Sequence, residues 1–236
     1  MTASPVMIAA SALRRWCGAG IASALVLAVA CLCGPLATAA VVTAPPAEPD
    51  AGQVHLIYLH GRAVEDGGPR PVTGYGLYEY PAILDALAAR GAMVISAQRA
   101  AQTDVDAYAG EVVAQIETLI RRGVPAARIV VVGFSKGGTI AVRVSSSLRR
   151  PEVRYVLLAA CPHAGDAARL RFTGRVLSLY ETSDDLCGSC ASLAARPEVP
   201  VRFEETALST GLSHGAFYRV DERWLAPTLD WAHAGE

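Results

Sequence analysis

From residue 53 onward the chain alternates short apolar, β-branched runs with longer stretches whose apolar positions recur at helical spacing. Residues 54–59 read as a buried strand, and residues 78–90 as a helix carrying Ile83, Leu84, Leu87 and Ala88 on one side. Residues 92–96 read as a second strand. Residues 104–122 form a second helix, capped near Thr103 and Asp104 and stopped by Gly123. Residues 128–133 give a third strand, 136–148 a third helix, 154–159, 175–180 and 199–205 later strands, and 222–232 a final helix. The strands are continuously apolar where a half-exposed sheet would alternate. A sheet buried on both faces by the intervening helices is therefore expected: one three-layer α/β/α sandwich with a mostly parallel central sheet. Ligands of such sheets sit at the carboxyl ends of the strands.

The first residues follow a different pattern. Arg14 and Arg15 precede an uncharged run from Trp16 to Val42, most apolar between Ile21 and Leu32, then broken at Gly34-Pro35. Ala37-Thr38-Ala39 has the small-x-small pattern of a leader-peptidase site, so residues 1–39 are read as a signal peptide of an exported protein. A retained membrane anchor, or lipidation at Cys31, are the alternatives. Residues 40–52, with prolines and alanines, read as an extended linker, which leaves residues 53–236 as the folded domain. Removing the leader removes the reason for stable membrane contact.

Composition narrows the function. Of 236 residues 52% are hydrophobic and 18% charged, with a net charge of −1. A mildly acidic domain with no basic run gives no reason to expect nucleic acid. Neither a Gly-x-x-x-x-Gly-Lys loop nor a Gly-x-Gly-x-x-Gly fingerprint occurs, so no phosphate or dinucleotide cofactor is expected. Lys136 is the sole lysine, which is attributed to base composition. Cys161, Cys187 and Cys190 lie beyond the leader. Cys187-Gly188-Ser189-Cys190 has no second Cys-x-x-Cys and no thioredoxin context, so it is read as part of a disulfide staple, with no metal.

The chemistry concentrates at Gly133-Phe134-Ser135-Lys136-Gly137-Gly138, directly after the strand Ile129-Val130-Val131-Val132. Turning from strand to helix within a residue or two aims a serine hydroxyl at the strand ends, and it requires glycine or small residues on both sides. Ser135 is therefore the candidate nucleophile. This motif resembles that of the α/β-hydrolase superfamily, in the form carried by its small lidless carboxylesterases and acyl-thioesterases, and the resemblance extends over nearly all of residues 53–236. It implies a nucleophile, an acid and a histidine in that chain order. Asp184 in Glu181-Thr182-Ser183-Asp184-Asp185 fits the acid, with Asp185 as second choice, and His214 in Gly211-Leu212-Ser213-His214-Gly215 fits the base. His60-Gly61-Arg62 resembles the family's oxyanion loop. It nominates the backbone N–H groups of Arg62 and Lys136 as the oxyanion hole, with Gly61 allowing close approach and His60 bracing the loop. Tyr75, Tyr78 and Tyr80 are candidate pocket residues. Cys161 closes one strand and Cys190 follows the next carboxyl-end loop, so a Cys161–Cys190 bridge is expected, with Cys187 the second choice.

The reading is thus an exported serine esterase acting on a small-molecule or polymer-borne ester. A thioesterase or amidase with the same residues, or an inactive hydrolase fold that binds a ligand, stay open, as does the oligomeric state.

Overall fold

The computed structural model describes residues 40–162, 171–194 and 202–234; the expected leader lies outside them. The chain runs through strand β1 (Ala40–Val42), β2 (His55–Leu59), helix α1 (Arg62–Gly67) and a hairpin of β3 (Val72–Thr73) and β4 (Gly76–Leu77). Helix α2 (Tyr80–Ala88), β5 (Met93–Ile95), α3 (Val105–Arg121), β6 (Ile129–Phe134), α4 (Lys136–Leu148) and β7 (Arg154–Leu158) follow. A short β8 (Cys161–Pro162), β9 (Arg175–Glu181), β10 (Cys187–Gly188), α5 (Ala191–Ala194), β11 (Arg202–Leu208) and α6 (Glu222–His233) complete it.

The central sheet has the order β1-β5-β2-β6-β7-β9-β11, and every neighbouring pair is parallel. Alternate strand residues feed two cores. Leu56, Tyr58, Val130, Val132, Leu158 and Leu179 pack with Ile83 and Leu87 of α2 and with Trp224 and Leu229 of α6. Ile57, Leu59, Val131, Leu157 and Val176 pack with Val112, Ile116 and Leu119 of α3 and with Ile140 and Val144 of α4. Burial on both faces explains why the strands read as continuous apolar runs.

The chain passes from β2 to β5 on one side, then returns across β2 to β6 and grows the other way. Strand order thus reverses between β2 and β6, where an open parallel sheet leaves a crevice at its carboxyl edge. Leu59 pairs with Gly133, so the segments that follow Leu59 and Phe134 leave the sheet side by side.

Local differences from the sequence reading have physical causes. The helix expected over 78–90 begins at Tyr80, because the N–H groups of Tyr78 and Glu79 go to Pro71 O and Tyr218 O, and Pro81 sits in its first turn. Residues 40–42, read as linker, pair with β5 as an edge strand, and β-branched Val41 and Val42 suit that role. The last strand, expected over 199–205, continues to Leu208, because its edge position tolerates alternating charged and apolar residues; residues 199–201 lie outside the described residues.

Candidate active site

Ser135 lies between the last residue of β6 and the first of α4, with φ 53° and ψ −119°. Its N–H donates to Leu158 O at 3.0 Å, holding the strained residue against β7. The turn is possible because Gly137 meets the neighbouring strand directly: a Cβ there would lie 1.9 Å from Leu59 O. Gly61 is constrained similarly, since a Cβ would lie 2.9 Å from Phe134 Cε1.

The structure brings Ser135 and His214 together, with Nε2 2.9 Å from Ser135 Oγ. His214 sits in a short 3-10 turn, Ser213–Phe217, and its Nδ1 lies 2.7 Å from Asp184 Oδ2. A carboxylate at Nδ1 selects the tautomer with the proton there, leaving Nε2 to accept the serine proton. Asp184 Oδ1 accepts the N–H groups of Leu186 (2.9 Å) and Cys187 (3.3 Å). Burial opposes the charge on Asp184, but the bonds from His214 and Leu186 outweigh it and hold the carboxyl below its usual range. Asp185 is exposed and instead accepts the Tyr75 hydroxyl at 3.2 Å. Phe134 (4.9 Å between ring centres) and Tyr75 (5.6 Å) flank the imidazole, which limits its contact with water.

His60 is fully buried. Its Nδ1–H donates to Gly61 O at 2.8 Å and its Nε2 accepts Arg99 N–H at 2.9 Å. Burial, reinforced by the Arg99 charge, pushes its pKa down to about 3, so the ring is neutral and acts as a brace. The Arg99 guanidinium also donates to His60 O. Its Nε bonds Glu65 Oε1 at 2.7 Å, and Glu65 Oε2 takes Lys136 Nζ at 2.6 Å. Gly61 N–H donates to Tyr78 Oη at 3.3 Å. Arg62 and Lys136 are the first residues of α1 and α4, so their N–H groups have no intrahelical carbonyl to bond.

These residues border a cleft of about 280 Å³, lined by Gly61, Arg62, Tyr75, Phe134, Ser135, His214 and Tyr218 among others. Of the candidate pocket tyrosines only Tyr75 reaches it; Tyr78 and Tyr80 are buried in the core. Cys161 and Cys190 form a disulfide, and β8 pairs with β10 immediately after the Asp184 turn. Cys187 is free, its thiol pushed up to about 12 by burial and then by the Asp184 charge. Among the described residues no group of three or more His, Cys, Asp or Glu converges to hold a metal ion, and no helix is long and apolar enough to cross a membrane.

Two carboxylates have linking roles that the sequence does not reveal. Glu65 joins Arg99 to Lys136, and Glu181 joins the Asp184 turn to the histidine loop. Both partnerships span residues far apart in the chain, so no local spacing announces them.

No family model and no curated protein matches the sequence. Solved structures do match the fold. SOBER1 of Arabidopsis thaliana is similar at 15% identity and a TM-score of 0.51, over 76% of this chain and 97% of that one. A protein of unknown function from Agrobacterium tumefaciens, placed among the α/β hydrolases, is similar at 16% identity and 0.52, over 79% of this chain and 86% of that one.

Proposed function

Because this chain has the α/β-hydrolase fold, we propose that it is a serine hydrolase that cleaves carboxylic esters through an acyl-enzyme. The observation that supports this reading is the continuous chain of hydrogen bonds from Ser135 Oγ through the His214 ring to Asp184, beside an open cleft. His214 Nε2 takes the Ser135 proton as Oγ attacks the ester carbon. Asp184 keeps the proton of Nδ1 in place and stabilises the imidazolium that forms. The carbonyl oxygen gains negative charge and is received by the backbone N–H groups of Arg62 and Lys136. His214 then protonates the departing alcohol and later activates the water that frees the acid and regenerates Ser135.

A cleft of about 280 Å³ lies at the small end of ligand pockets. It suits a short acyl group with the rest of the substrate outside, as in a soluble or polymer-borne ester. Thioesters and amides call on the same residues, so leaving-group preference lies in the cleft walls. An exported location is part of the proposal and rests on the leader-like residues 1–39 and on the Cys161–Cys190 bridge, which suits an oxidising compartment.

The test is reaction of the purified protein with a fluorophosphonate, with the adduct located by mass spectrometry. Labelling at Ser135 that is absent from Ser135→Ala, with ester turnover reduced about 10⁴-fold or more in that variant, is expected. Folded protein that resists the reagent and turns over no ester would overturn the reading in favour of a binding protein.

A further inference from the structure

We propose that Glu65 is a positioning residue that sets the separation of the two oxyanion donors, acting through the side chain of Lys136. The proposal rests on the serine-hydrolase reading above. One donor, Arg62 N–H, stands on the segment leaving β2; the other, Lys136 N–H, follows the nucleophile on the segment leaving β6. Each segment continues into its own helix, so their separation depends on what joins α1 to α4. Glu65 lies on α1, within a turn of Arg62, and its carboxylate is fully buried. One of its oxygens holds Lys136 Nζ at 2.6 Å and the other holds Arg99 Nε at 2.7 Å. Arg99 in turn grips His60 through its backbone N–H and its guanidinium. A rigid ionic chain thus runs from the His-Gly loop through α1 to the residue after the nucleophile.

Stability alone is a poor account of this cluster. Placing two cations around one fully buried carboxylate incurs desolvation that well-packed apolar side chains of similar volume avoid. What an ionic chain supplies is fixed distance. The guanidinium and ammonium bond opposite oxygens of one carboxylate, so moving α1 relative to α4 lengthens a charged hydrogen bond in a dry site. Catalysis is sensitive to that distance, because oxyanion donors act only when already in place as charge develops. The cluster also keeps an excess positive charge beside the place where the oxyanion forms, and Glu65→Gln, which raises that charge while loosening the tie, separates the two effects.

The test compares Lys136→Met, Lys136→Arg, Glu65→Gln and the double variant Glu65→Gln/Lys136→Met. Three readouts are taken: kcat and KM on a soluble short-chain ester, affinity for a trifluoromethyl ketone, and labelling of Lys136 by an N-hydroxysuccinimide ester. The ketone forms a tetrahedral oxyanion on Ser135. Lys136 is the sole lysine, so one adduct besides the α-amine reports directly on the tie. Removing a whole oxyanion donor costs about 10²- to 10³-fold in kcat; a displaced one should lose about tenfold.

Lys136→Met is expected to lower kcat and ketone affinity by that same factor with KM within about twofold, a pattern that simple loss of folded protein does not produce. Lys136→Arg should recover most of it, Glu65→Gln should speed labelling of Lys136, and the double variant should lose no more than the worse single. Lys136→Met keeps the Glu65–Arg99 pair, so the test stands even where Glu65→Gln misfolds. Ketone affinity and kcat within twofold of wild type in Lys136→Met, or additive losses in the double variant, would overturn the proposal. If wild-type protein turns over no ester and resists fluorophosphonate, the hydrolase reading itself falls and takes the proposal with it.

Discussion

Replacing Glu181 by alanine should damage stability and turnover together. Glu181 is the last residue of β9 and is buried. Its Oε2 accepts the Thr210 N–H at 2.8 Å and the Thr210 hydroxyl at 2.7 Å, and its Oε1 accepts the Ser183 hydroxyl at 3.0 Å. Ser183 Oγ in turn accepts the Ser213 N–H at 3.2 Å. A single carboxylate thereby couples the turn that presents Asp184 to the loop that presents His214. Hydrogen bonds to a charged group contribute about 1.5–3 kcal/mol each, but water can reach partly exposed Thr210 and Ser183 in the variant, so about 1 kcal/mol each is the better figure. The sum, about 2–3 kcal/mol, corresponds to a fall in Tm of about 5–10 °C for a chain of this size. Freeing the two loops should also lower kcat at least about tenfold, since an error of about 1 Å in a reacting group can cost 10²-fold.

The pH dependence supplies the discriminating measurement. Burial opposes the charge on Glu181, yet the Thr210 and Ser183 donors outweigh it and leave the carboxyl below the ordinary 4.5. A depressed carboxylate stabilises the fold above its unfolded-state value and loses that contribution as pH falls through the lower folded-state value. Urea unfolding of wild type and Glu181→Ala should therefore differ most at neutral pH, and the curves should converge as the pH drops below 4.5. A difference below about 0.5 kcal/mol at neutral pH, the range of ordinary surface substitutions, or one that does not shrink on acidification, would refute the clamp.

Other consequences follow from neighbouring groups. His60 titrates near 6.5 when unfolded but is pushed to about 3 in the fold, so on acidification from 6.5 to 3 the unfolded state takes up the proton first. Wild-type stability should therefore fall by up to about 1.4 kcal/mol for each pH unit lowered, and His60→Gln should flatten that slope in pH-dependent unfolding. Cys187, held up at about 12, should resist iodoacetamide at mildly alkaline pH in native protein and react in denaturant; fast native alkylation would contradict its burial against Asp184. Reducing Cys161–Cys190 opens a loop of sequence separation 29 and should cost about 3.5 kcal/mol by chain entropy. Ester turnover measured below the melting temperature should fall as well, because the bridge pins the strand that follows the Asp184 turn.

The fold was legible wherever an element is long enough to show a period. Helix α4 occupies the expected 136–148 because a glycine-flanked turn sets its start, and the parallel character of the sheet follows from strands buried on both faces. Helix α1, the β3–β4 hairpin and the β8–β10 pair are too short for periodicity and are held by tertiary bonds such as Thr73 hydroxyl to Tyr218 hydroxyl. At the site, the sequence left Asp184 and Asp185 as neighbouring choices. Only their surroundings separate them: one side chain lies buried on the imidazole, the other exposed on Tyr75. Lys136, attributed from the sequence to base composition, has a specific buried partner on another helix.

Each loop at the carboxyl edge is held by a different device, chosen by what lies behind it. The elbow after β6 backs onto the β2 strand end, where Gly137 leaves no room for a side chain, so packing fixes it and the Glu65–Lys136 pair sets its relation to α1. The acid turn after β9 leads into the β10 segment, held by a covalent bond and by the Glu205 carboxylate, which accepts Cys190 N–H at 2.7 Å. The histidine loop follows β11, an edge strand half open to solvent, and is tied back by Glu181 from the strand beside it and by aromatic rings from β6 and the hairpin. Polar links thus occur at all three loops: Glu65 at the elbow, Glu205 beside the acid turn and Glu181 at the histidine loop. Substitution of Gly137 should therefore act through overpacking against Leu59, and substitutions of Glu181 or Glu205 through lost hydrogen bonds.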